Sequence, residues 1–375
     1  MTGVGIAGAA LFPFGRHDRT AAEMGAVAVR EALAEAGVDG RGLPTFCGTA
    51  YGGVAAGHRV LGRLGLTGGP IVDVEAGCAS GAAALSLAAT AIRAGRHDTV
   101  LVVGIEKMPR GIIRSSFFEP WREQLGLAAT PAYFALRAQR LMVDSGITKH
   151  HLARVVVKNR ANGAGNEHAM FRTAVTADEV LASRVVCEPL HLFMLCSPNE
   201  GAAAVVLRAG GGGVQLRACA LRSHLPGHVL DEGSPLCGLA GDGYEPPPAP
   251  TTLAASDAYA EAGAGPGDLD LAEVQDTDAA RELLAYEELG LCERGGSGAL
   301  LDSGATGPGG RIPVNVSGGL LSKGEPLGAS ALAQVIEVTR QLQGRAGPRQ
   351  VEGARVGLTH TIGRGANASV CILTT

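Results

Sequence analysis

A module of strand, turn, helix and strand occurs twice in this chain, and that duplication restricts the fold more than any other feature. In the first copy Ile71–Val74 is a short β-type run, Ala76 and Gly77 turn the chain, and Ser80–Arg93 is an alanine-rich helix. Thr99–Gly104 then reads as a buried strand, because its apolar residues run on instead of alternating. In the second copy Val314–Ser317, a glycine turn containing Glu325 and Pro326, the helix Ala329–Leu342 and the strand Arg355–Thr359 follow in the same order. Each copy is preceded by a helix that closes on Ala-Glu-Ala-Gly and by a short strand, around Phe46–Ala50 in one case and Leu271–Gln275 in the other. A repeated unit of this kind predicts two similar α/β halves packed together. The expected division is 1–106 with 195–240 for the first half and 250–375 for the second, with 107–194 as a cap or loop excursion.

Cys78 sits where the first strand hands over to the first turn of a helix. Unpaired amides and the positive end of the helix dipole favour a thiolate there. The small neighbours Ala76, Gly77, Ala79, Ser80 and Gly81 leave room for another group to approach the sulfur. A cysteine in an apolar neighbourhood is also a common small core residue, so placement alone does not make it a nucleophile.

The glycine-rich, weakly charged composition, with 56 glycines, 46% apolar and 18% charged residues, suits helices packed tightly on sheets and does not suit disorder. A net charge of −4 argues against nucleic acid as the main partner. No apolar stretch is long enough to span a membrane, and the first residues lack the basic start of a secretory signal, so a cytoplasmic protein is expected. None of the eight cysteines forms a C-x-x-C pair, so no metal site is expected. The stretch Lys107–Arg172 carries eleven Lys/Arg against four Asp/Glu. It reads either as a solvated face or as a positive rim for a phosphate-bearing carrier.

The blocks GCASGAAAL, VGIEKMPRG, NEGAAAVVL, ELLAYEELGLC, NVSGGLLSKGEPLGAS and VGLTHTIGRGANASV come in an order that resembles the thiolase superfamily over essentially the full length. The likeness is to thiolases of the sterol carrier protein (lipid-transfer) type. The resemblance implies a thiolase fold, five-layered α-β-α-β-α from two pseudo-symmetric halves. It further implies a homodimer, coenzyme A or phosphopantetheine thioesters as substrates with no tightly bound cofactor, and Cys78 as the active-site cysteine. It places Asp276 on the family aspartate, there to orient backbone, and puts a second oxyanion donor in the turn Thr361–Gly365, with Gly363 as the expected residue.

The sequence departs from the family in two motifs, losing two histidines and a cysteine. Where relatives carry His-Asp-Cys-Phe this chain has Gln275, Asp276, Thr277 and Asp278, and where they carry Gly-His-Pro it has Gly324, Glu325 and Pro326. Claisen chemistry needs a base for a weakly acidic α-proton and donors where enolate charge builds up. Thr277 is no base, and an anionic Glu325 opposes a developing oxyanion. Acyl transfer asks for less: a thiolate, an oxyanion hole and a base for the incoming nucleophile. Glu325 and His360 are the base candidates, and Gln275 is a hydrogen-bond donor where the family has histidine. Against these stand a structural His360, a Gln275 that only fills space, and drift at Glu325.

Three readings follow. In the first, Cys78 takes an acyl group from an acyl-CoA or acyl-carrier-protein thioester and passes it to an acceptor, outside ordinary Claisen thiolysis. In the second, the chain is a retro-aldol lyase on acyl-CoA with a small OB-fold partner protein. In the third, it is a non-catalytic thiolase-fold subunit.

Overall fold

The computed structural model describes residues 2–111, 113, 120–126, 129–210, 213–225, 247–363 and 367–375. The chain begins β1 (Val4–Gly15), α1 (Ala21–Ala36), β2 (Thr45–Gly48), α2 (Ala56–Gly62), β3 (Ile71–Val74), α3 (Ser80–Arg93) and β4 (Thr99–Lys107). A helical stretch follows: α4 (Pro120–Gln124), α5 (Thr130–Ser145), α6 (Lys149–Ala164) and α7 (Ala177–Ala182). The hairpin β5 (Val185–Cys187) and β6 (Leu190–His191) leads to β7 (Glu200–Ala209) and β8 (Gln215–Arg222). Then come α8 (Pro250–Ala262), β9 (Leu271–Val274), α9 (Ala279–Glu288), α10 (Ser297–Asp302), α11 (Gly319–Lys323), α12 (Leu327–Leu342), β10 (Val356–Ile362) and β11 (Ala368–Thr374).

Helix α1 shows how local chemistry sets these limits. Thr20 and Glu23 form a reciprocal capping box at its start, and the Gly37 amide closes its end on the Ala34 and Leu33 carbonyls.

The strands run in the order β3-β2-β4-β7-β1, then β8-β11-β10-β9, and the two groups meet through the single pair Gly5 and Gln215. In the first group β3, β2 and β4 are parallel while β7 and β1 run antiparallel. The second group repeats this: β9 is parallel to β10, β11 and β8 are antiparallel, and Val314 bridges Ala272 in parallel where β3 lies in the first. The expected strand Val314–Ser317 is thus reduced to one bridging residue.

Alternation along the strands sorts the core into three layers of contact. Ala202, Ala204 and Val206 of β7 face Met24, Ala28 and Val60 of α1 and α2, while Ala203, Val205 and Leu207 face the other way, onto α3 and α12. On the second sheet Leu373 and Cys371 meet that same central pair, and Val370 and Ile372 face α8 and α9. Helices, sheet, helices, sheet and helices make the five-layered thiolase fold. The two central helices start side by side, with a Cβ at Gly81 of α3 falling 2.7 Å from the Gly328 carbonyl oxygen of α12.

Two expected elements sit elsewhere. Strand β8, expected with the first half, pairs with β11 along its length and joins the second sheet. The stretch 107–194 is more than a cap: Tyr133, Phe134, Leu152, Val156, Val180 and Met194 join the core that α8 and α9 build. The expected loop 241–250 lies outside the described residues up to 246, and Pro250 already opens α8. Among the described residues no helix is long and apolar enough to cross a membrane.

Candidate active site

The turn that carries Cys78 is built by its neighbours. Residues Gly77–Ala79 form one tight turn between β3 and α3. The Ser80 hydroxyl accepts from the Ala76 amide at 2.9 Å and donates to the Gly77 carbonyl at 2.6 Å. The Glu75 carboxylate accepts from the Gly77 amide at 2.8 Å. The thiol of Cys78 is left partly exposed while Ala76 and Ala79 are buried.

The equivalent turn of the second half delivers Glu325. Gly324 has φ 83°, a conformation that suits glycine, and a Cβ there would run into the Asn199 amide. The next amide, of Glu325, donates to Ser197 O at 2.9 Å, and Glu325 bridges Pro198. Its buried carboxylate then collects three side chains. Gln275 Nε2 donates to Oε1 at 2.9 Å, Cys196 Sγ donates to Oε2 at 3.3 Å, and the Cys78 thiol is near enough to lower the pKa of the same carboxylate. Burial raises the Glu325 pKa above the usual carboxylate range; Cys78 and the bonds from Cys196 and Gln275 oppose that, and the Asp278 charge adds to it.

The remaining expected residues divide. Gln275 is fixed at both ends, since its Oε1 accepts from the Ile362 amide. Its amide group therefore holds the carboxylate in place of an oxyanion. Asp276 orients backbone, accepting from Leu320 N at 2.6 Å, Leu321 N at 3.2 Å and Asn159 Nδ2 at 2.8 Å. Burial, then the Glu282 charge, pushes its pKa well up. Thr277 donates to Asp278, which caps α9 and pairs with the buried Arg137 of α5.

His360 lies elsewhere. Leu358, His360 and Ile362 share the face of β10 that packs on α8 and α9, whereas Thr361 reaches Gln334 of α12 on the other face. The imidazole Nε2 meets Thr251 Oγ1 at 3.0 Å, and burial with the Arg281 charge depresses its pKa well below the usual range. It is a neutral, enclosed ring on the outer side of the sheet, and the structure does not bring it to Cys78. Gly363, by contrast, is at the site: a Cβ there would strike the Ala76 carbonyl. Its own amide donates to Asn367 O at 2.9 Å, so it is not the spare donor expected. Arg364, Gly365 and Ala366 of the expected turn lie outside the described residues.

Two residues escaped the sequence reading. Cys196 has no periodic or motif signal of its own. Glu106 had one: a carboxylate in a continuous apolar strand. It accepts from Ala50 N at 2.8 Å, Tyr51 N at 3.0 Å, Gly328 N at 3.1 Å and Thr49 Oγ1 at 3.1 Å, tying β4 to the start of α12. The Lys/Arg-rich stretch is largely neutralised where it is described. Lys107, Arg137, Arg140, Lys149, Arg154 and Lys158 all meet carboxylates, and Arg160 stacks on Phe171.

A five-layered duplicated α/β fold with a cysteine at the head of one central helix and a carboxylate at the head of the other defines the class. Residues 4–210 match the family "Thiolase, N-terminal domain" and residues 247–375 match "Thiolase C-terminal domain-like". The chain belongs to the thiolase family, among its sterol carrier protein-type members. It is 37% identical over 361 residues to an acetyl-CoA acetyltransferase of Methanothermobacter thermautotrophicus, covering 91% of each chain. It is 34% identical to the benzoylsuccinyl-CoA thiolase subunit BbsB of Thauera aromatica, covering 97% of this chain and 95% of that one. It is also 34% identical to sterol carrier protein 2 of Oryctolagus cuniculus, covering 93% of this chain and 67% of the relative. A solved structure described as the Ltp2-ChsH2(DUF35) aldolase superposes with a TM-score of 0.86 at 24% identity, over 100% of this chain and 98% of that one.

Proposed function

We propose that the protein is a thiolase-family acyltransferase that takes an acyl group from a coenzyme A or carrier-protein thioester onto Cys78 and passes it to an acceptor. The observation that carries this reading is the buried Glu325 carboxylate, fixed by Gln275 and Cys196 and near enough to Cys78 for the thiol to lower its pKa. Glu325 accepts the thiol proton as sulfur attacks the thioester carbonyl. It returns that proton to the departing thiolate, and the acceptor's attack on the acyl-cysteine repeats the exchange. The names of the relatives, an acetyl-CoA acetyltransferase and a benzoylsuccinyl-CoA thiolase subunit, support acyl-CoA as the substrate class. A carboxylate in the place of the family histidine repels enolate charge, which argues against Claisen thiolysis by the ordinary route. No tightly bound cofactor enters this scheme.

A second copy of the chain is the proposed partner. Strand β3 is a sheet edge with Val72 44% exposed, a surface that invites pairing. The subunit named in one relative and the DUF35 protein named with one solved structure support a further small partner.

Intact-mass measurement after incubation with a panel of acyl thioesters tests the reading. A single acyl adduct that disappears in Cys78→Ser is expected. No adduct on the native protein, or one that survives the substitution, overturns it.

A further inference from the structure

Glu325 has two carboxylate oxygens and, beside Cys78, two fixed donors. One is Gln275, at a position where the family carries a residue of known importance. The other, Cys196, comes from a stretch with no assigned role. We propose that Cys196 is a positioning residue for the reaction on Cys78: its thiol holds Oε2 of Glu325 and keeps that carboxylate ionised and aimed at the reacting sulfur. The proposal rests on the acyl-transfer reading above and assigns one more residue to it.

Several observations separate Cys196 from an ordinary core cysteine. Its Sγ lies 3.3 Å from Oε2, as a donor to a charged acceptor. Its backbone is held from one side, where its amide donates to Thr277 O at 2.9 Å. The chain beyond it is held from the other, where Ser197 O accepts from the Glu325 amide at 2.9 Å and Pro198 bridges Glu325. The thiol and the carboxylate are therefore placed by the same short ladder and cannot drift apart independently. Burial, with Glu325 next to it, pushes the Cys196 thiol well above its usual range, so it stays protonated and remains a donor.

The pH consequence has a definite sign. Glu325 must be ionised to accept the Cys78 proton. A hydrogen bond to the carboxylate favours that ionised form, so losing it moves the Glu325 pKa up and the acid limb of the reaction to higher pH. The charged and titratable groups facing Glu325 are Cys78 from the turn before α3, Cys196 from the stretch before β7, and Asp278 at the head of α9, itself paired with Arg137 of α5. Only the second is altered in the test.

The rate of Cys78 acylation by an acyl-CoA is measured against pH for the native protein, Cys196→Ala, Cys196→Ser and Cys196→Ala in the Glu325→Gln background. In Cys196→Ala the acid limb is expected to move up by about half a unit to one unit, a threefold to tenfold loss below the midpoint that vanishes at high pH. Cys196→Ser, which keeps a donor, restores the native limb, and Cys196→Ala has no further effect once Glu325 is Gln. An unmoved limb in Cys196→Ala, or an equal loss in the Glu325→Gln background, overturns the inference while leaving acyl transfer intact. Absence of acylation in the native protein overturns acyl transfer itself. Should Cys196→Ala fail to fold, Cys196→Ser decides alone: its hydroxyl donor must preserve the native pH limb, and a shifted limb refutes the assignment.

Discussion

The turn before α3 and the turn before α12 hold equivalent places in the two halves, yet they treat their central side chains in opposite ways. The first leaves its cysteine partly exposed, in a turn braced by Ser80 and Glu75. The second buries its glutamate and surrounds it with side chains from three other segments, two of them donors. The edges beside them differ in the same sense. Strand β3 is open, whereas its counterpart has shrunk to Val314, against which the helical stretch packs: Lys158 of α6 donates to the Val314 carbonyl at 2.8 Å. One copy of the module is thus partly open at its central side chain, and the other is closed around it.

The largest expected effect comes from removing that charge. Glu325→Gln keeps shape and both neighbours but cannot accept a proton, so the rate of Cys78 acylation near neutral pH falls by about 10²–10⁴-fold. Stopped-flow or quenched mass measurements of adduct formation check it, and an unchanged rate would mean that the buried turn is only scaffold. Loosening the same carboxylate gives a smaller effect. Gln275→Leu removes the donor at 2.9 Å from Oε1. Because a hydrogen bond to a charged group is worth about 1.5–3 kcal/mol, the Glu325 pKa rises by about one to two units. Activity drops at pH 7 and returns as pH rises, and a pH–rate profile that keeps its native acid limb would remove Gln275 from this role. The smallest effect is expected at His360. His360→Gln changes acylation less than about threefold, since the ring lies on the far face of β10. A loss of a hundredfold in the same assay would return His360 to the list of bases.

Most of the architecture could be read from residues alone because each signal was local. Ile71–Val74 and Ser80–Arg93 appear as predicted, and α1 ends at its glycine cap. Strand β8 reads as part of the first half because it carries the same alternating pattern as any strand, and only its partner, β11, says which sheet it joins. The site was half legible for a similar reason. Cys78 and Glu325 sit in turns whose type the sequence announces. Cys196 and Gln275 meet a carboxylate that is distant in sequence, and no periodicity records such a meeting. His360 misled because neighbourhood along the chain was taken for neighbourhood in space, although successive residues of a strand point to opposite faces.

The close approach of Gly81 and Gly328, where the two central helices begin, bears on how such a protein could arise and fail. Sulfur and carboxylate belong to different copies of the repeated module, so neither copy by itself contains both groups of the proposed reaction. If acyl transfer runs through this pair, competence is a property of the seam, and a slight separation there is expected to disarm the molecule while both copies remain folded.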